Sequence, residues 1–109
     1  MRKHKEVHTL DLSASGETPA INVEAFRYCG IVISTSGVAD NTGEFAIEVS
    51  NAGSGWAPLE ADGLPALADA NADLASGLVL APFDRVRVAF TAAGSAPDGT
   101  AQVFVTLKD

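Results

Sequence analysis

The chain has 109 residues, a formal net charge of −7 and one cysteine, Cys29. That length suits one domain that buries a real core without metal or disulfide. The charge argues against nucleic acid, whose binding relies on lysine and arginine neutralising phosphates. Small and β-branched residues between frequent turn formers point to short strands.

Basic residues gather at the start. Arg2, Lys3 and Lys5 lie in the first five positions, and from Val7 onward the chain carries four basic and thirteen acidic residues. Residues 1–6 are read as a short basic arm ahead of a single domain over 7–109. No apolar stretch follows the basic start, as a secretory signal would require, and no run approaches a membrane helix. A soluble protein made in the cytoplasm, with no signal peptide and no membrane partner, is the expectation.

In chain order, Val7–Leu12 alternates with His8, Leu10 and Leu12 on one side, a half-buried strand. After the turn at Ser13–Pro19, Ile21 and Val23 mark a second short strand. Phe26–Ser34 is nearly continuous in apolar residues and predicts a central strand buried on both faces, with Gly30 marking a bulge or a close packing partner. Ser36–Gly43 reads as a hairpin-type loop, and Phe45, Ile47 and Val49 alternate cleanly after it. The turn-rich Asn51–Gly63 stretch carries Trp56 and Leu59, expected to fold back on the core. Pro65–Ser76 is the one plausible helix, weakened by Asn71 and Asp73. Leu78 and Leu80 make a brief strand. Val86, Val88 and Phe90 alternate with Arg85, Arg87 and Ala89. The last strand sets Ala101, Val103, Val105 and Leu107 against Gln102, Phe104 and Thr106. Seven or eight short strands predict an all-β, antiparallel β-sandwich or jelly roll, with the long Val49–Leu78 connection passing between sheets.

Catalytic constellations are missing from the sequence. His4 and His8 are the only histidines, there is no nucleophile elbow or phosphate loop, and Cys29 sits in the most apolar run, where thiols are inert. No cofactor is expected. Asp69, Asn71 and Asp73 have the spacing that opens a calcium loop, but Leu74 and Leu80 stand where glycine and a bidentate glutamate belong. A solvated turn or helix explains them equally well. Trp56 could stack on a sugar ring or plug one end of the sandwich, the second being the commoner fate of a large aromatic. Arg85 and Arg87 share a strand face and either pair with Glu44 and Glu48 or form an interface patch; the pairing, which needs no special function, is the expectation.

The arrangement Glu48-Val49-Ser50, a glycine-containing turn, Trp56-x-x-Leu59, then Arg85-Val86-Arg87-Val88 and a final alternating strand resembles the small β-sandwich proteins encoded among bacteriophage virion genes. A similar strand–turn–tryptophan spacing occurs in discoidin-like carbohydrate-binding domains. Those carry paired cysteines, and this chain has one. The virion resemblance implies a non-enzymatic structural protein: a capsid decoration (cement) or tail accessory subunit, partnered by other virion proteins, oligomeric, and located on the virion. In that setting Arg2, Lys3 and Lys5 are the candidate gripping residues. The discoidin likeness implies the alternative, a carbohydrate-binding or receptor-binding module with Trp56 against a glycan.

Overall fold

The computed structural model describes residues 3–51, 55–59, 73–80 and 83–109. They form two antiparallel sheets packed as a β-sandwich, and no helix occurs among them, so none long and apolar enough to cross a membrane. The first sheet orders β1 (Lys3–Asp11), β9 (Thr100–Lys108), β4 (Tyr28–Ser36) and β7 (Asp73–Leu80). The second orders β2 (Gly16–Glu17), β8 (Arg85–Thr91), β5 (Glu44–Ser50) and β6 (Ala57–Leu59), and β3 (Ile21–Asn22) also pairs with β8.

Period-2 alternation builds the core, because successive side chains of a strand point to opposite faces. Ala101, Val103, Val105 and Leu107 of β9 are all buried, as are Phe45, Ile47 and Val49 of β5 and Val86, Val88 and Phe90 of β8. Phe45 sits directly opposite Phe90, with ring centroids 4.8 Å apart in a tilted contact. Each fully buried aliphatic or aromatic side chain here contributes about 1.5–3 kcal/mol of hydrophobic stabilisation. The chain passes from the second sheet to the first between β6 and β7, as the long connection predicts.

Three expectations change in detail. β4 is central, between β9 and β7, but only one of its faces is buried. Cys29, Ile31 and Ile33 point into the core, while Tyr28 and Val32 face outward. An uninterrupted apolar run therefore marks a strand with an apolar outer face, not one covered on both sides. The irregularity anticipated near Gly30 lies one step on: Ile31 opposes Gly77 and Val32 opposes Ala75, leaving Ser76 as the extra residue of β7. Finally, Asp73–Ser76 belongs to strand β7, so the end of the anticipated helix is extended; the rest of that segment lies outside the described residues.

Candidate interaction surface

Strand β1 begins at Lys3, so Lys3 and Lys5 are strand residues paired with Lys108 and Thr106 of β9. Arg2 lies outside the described residues, as do Asp69 and Asn71 of the calcium-like spacing; Asp73 opens β7. Among the described residues no group of three or more His, Cys, Asp or Glu is arranged to hold a metal.

The inward positions of β1 carry His4, Glu6 and His8, opposite Leu107, Val105 and Val103. Both imidazoles contact one carboxylate: His4 Nε2 lies 3.0 Å from Glu6 Oε2 and His8 Nε2 2.9 Å from Glu6 Oε1. Burial alone raises the Glu6 pKa, but hydrogen bonds and charge from His8 and His4 outweigh it and hold the carboxyl below its usual range. Polar side chains pointing inward on an edge strand block edge-to-edge pairing, since a docking strand would have to desolvate them. The His4 ring also stacks against Phe26 at 6.2 Å.

Cys29 is buried, and desolvation pushes its thiol up to about 11. The thiolate, the reactive form, is therefore scarce at neutral pH. Trp56 is half-buried, with the Arg87 guanidinium 4.3 Å from its ring centroid and that of Arg85 at 5.9 Å. Arg87 also donates from Nε to Glu48 Oε1 at 2.7 Å, across the register pair Glu48–Arg87. Glu44 instead opposes Thr91 and Arg85 opposes Ser50. One ring face of Trp56 is thus taken by the cation that a sugar would have to displace.

At one end of the sandwich three loops are tied by side chains that sequence patterning does not single out. Asn41 is fully buried; its Nδ2 donates to the carbonyls of Leu12 and Asp98, both at 2.9 Å, and its Oδ1 accepts from Gly43 N–H at 3.0 Å. Asp98 Oδ1 accepts from the N–H groups of Ala39 and Asp40, which hold its carboxyl below the usual range. Asp40 Oδ2 in turn accepts from Ser95 Oγ and Ala96 N–H. A short polar side chain in a loop carries no periodic signal, so only the burial of Asn41 reveals it.

The outer face of the β1–β9–β4 sheet is the remaining feature. Four exposed large apolar side chains lie on it: Val7 (55%), Val32 (44%), Phe104 (39%) and Tyr28 (36%). Register sets three of them in one row, Val7 opposite Phe104 and Phe104 opposite Val32. Apolar groups gathered on one face of a small protein mark a contact surface more often than scattered ones do.

The same architecture occurs among solved structures. This chain is similar in fold to a prophage-derived protein. The crystal structure of the SPBc2 prophage-derived protein YomS superposes with a TM-score of 0.63 at 15% identity, covering 98% of this chain and 95% of that one. A Bacillus endospore appendage protein, from a family of disulfide-linked pili, superposes with a TM-score of 0.52 at 16% identity, covering 98% and 87%. At these identities the likeness is one of fold. No family model matches the chain, and no curated protein matches its sequence.

Proposed function

We propose that this chain is a non-enzymatic structural subunit of a phage particle, a decoration or tail accessory protein that binds a repetitive protein lattice. The observation that carries the reading is the end-to-end likeness to the prophage-derived protein, which spans nearly the whole of both chains. The pilus subunit fold, also covered over most of its length, is consistent with a sandwich used for assembly. Physical features support it. Strands pack a disulfide-free core, the single thiol is buried and protonated, and four exposed apolar residues collect on one sheet face. The glycan-binding alternative is weaker because Arg87 already occupies a face of the Trp56 ring.

Quantitative mass spectrometry of purified particles, induced from the host whose genome carries the gene, tests the reading. The chain is expected in many copies, in fixed ratio to a repeated shell or tail protein. Its absence from purified particles would reject the virion role.

A further inference from the structure

We infer that the outer face of the β1–β9–β4–β7 sheet is a self-complementary interface that joins two copies of this chain about a two-fold axis crossing the strands at Phe104. The inference deepens the structural reading by naming a partner for this face, and it stands on the geometry of the face itself.

β1, β4 and β9 each have nine residues, and in each the fifth is the outward apolar residue: Val7, Val32 and Phe104. The apolar row thus crosses the exact middle of the face. All three lysines of the chain lie on one side of it, in two adjacent register rows: Lys3 opposite Lys108, and Lys5 one step inward. Tyr28 completes the Lys3–Lys108 row. Arg27, whose N–H donates to the Lys108 carbonyl, and Asp109 also lie at this end, which carries more basic than acidic side chains. The opposite end of the face carries Asp11 in the row of Thr100 and Ser36, with the loop carboxylates of Asp40 and Asp98 just beyond.

Within one copy this layout is unfavourable. Like charges directly opposite on neighbouring strands repel, and Lys3 faces Lys108. Asp11, the carboxylate on the outward face of the same strand, lies roughly 26 Å away at about 3.3 Å per residue. A second copy turned about an axis across the strands solves both problems together. It lays the apolar row on its own image and brings its Asp11 over the Lys3 end, with Lys3 of the second copy over Asp11 of the first. The alternative two-fold axis, along the strands, would stack lysines on lysines. The face measures about 30 Å by 19 Å from strand rise and spacing. Two such faces give a footprint of about 1,100 Å² in total, above the roughly 1,000 Å² that a specific interface needs. A two-fold contact uses the same patch on both copies and closes, so it yields dimers and no longer chains.

Sedimentation equilibrium of the full chain over a concentration series, at low and at high salt, tests the inference. The expected result is a monomer–dimer equilibrium that weakens as salt screens the Lys3–Asp11 pairs. Phe104→Glu should weaken dimerisation at least about tenfold, as loss of a central anchor does. Lys3→Asp and Asp11→Lys should each weaken it several-fold or more, and the double variant should recover most of the loss. Asp11 also accepts from Ser13 N–H at 3.0 Å, so circular dichroism accompanies each variant, and Lys3→Asp, which leaves that turn intact, decides if Asp11→Lys perturbs the fold. A wild type that stays monomeric at every concentration overturns the inference. So does a dimer indifferent to Phe104→Glu, a double variant no better than its parents, or open-ended association. Any of these can fail while the chain is still found in particles, which separates this inference from the virion reading.

Discussion

Replacing Asn41 with alanine tests the claim that one buried amide locks three loops. The side chain supplies two donated bonds, to the Leu12 and Asp98 carbonyls, and accepts one from Gly43 N–H. Truncation strands those groups, and burial keeps water from most of them. At about 1 kcal/mol per lost bond, with more for a stranded buried group, the expected cost is about 3–4 kcal/mol. For a domain of this size each kcal/mol shifts Tm by about 4–8 °C, so Asn41→Ala should melt roughly 12–30 °C earlier. Asn41→Asp should be at least as damaging: it keeps the acceptor for Gly43 but sets a carboxylate against two carbonyls. Thermal and urea denaturation followed by circular dichroism give the numbers, with Ser95→Ala as the exposed control, expected within about 1 kcal/mol of wild type. A loss below about 1 kcal/mol for Asn41→Ala would show that the loops hold without it and refute the reasoning.

Other consequences are equally open to measurement. A methyl group on Gly43 would stand 2.3 Å from the Thr91 carbonyl oxygen and 2.4 Å from the Phe90 ring, so Gly43→Ala should cost about 1–3 kcal/mol by overpacking, read in the same melts. Arg87→Ala removes both the Glu48 bond and the cation over Trp56; a loss of about 1–2 kcal/mol is expected. Trp56, the single tryptophan, should then become more accessible to acrylamide. The carboxyl of Asp98 is held low by the backbone N–H groups of Asp40 and Ala39, so its stabilising effect is fully present above the ordinary value near 3.8. It is lost as pH falls through the lower folded value. Asp98→Asn should therefore flatten the acid limb of a Tm–pH profile below about pH 4, and an unchanged limb would argue against that role. Cys29 should resist alkylation at pH 8 in the folded protein and react readily once urea unfolds it.

How far the sequence reveals this molecule follows from what periodicity can encode. β5, β8 and β9 are plain in it because hydrophobic alternation reports one buried face directly. β1 is legible only from Val7, since His4 and Glu6 occupy inward positions where apolar residues are expected. The outward placement of Tyr28 and Val32 is invisible in an apolar run, because nothing local distinguishes a covered face from one that awaits a partner. Glu48–Arg87 pairing is anticipated from strand faces, but the stacking of Arg87 on Trp56 depends on β6 lying beside β5. The lysine-rich end of the face could not be seen either. Lys108 stands more than a hundred residues from Lys3 in sequence, and only antiparallel pairing of the first and last long strands makes them neighbours. Arg2, Lys3 and Lys5 look like a free arm in the sequence; pairing with β9 turns the two lysines into part of a sheet face.

The central claim is that this sandwich works by presenting the outer face of its β1–β9–β4–β7 sheet during assembly of a particle. Its most direct test is a competition: isotopically light wild type and heavy Phe104→Glu, supplied together to cells producing particles that lack the native gene product, followed by mass spectrometry of the purified particles. Phe104 is exposed, so the substitution should leave the fold intact while removing the centre of the contact row. The account predicts that wild type is incorporated in many copies and the variant is largely excluded. Equal incorporation of both, or of neither, would contradict it.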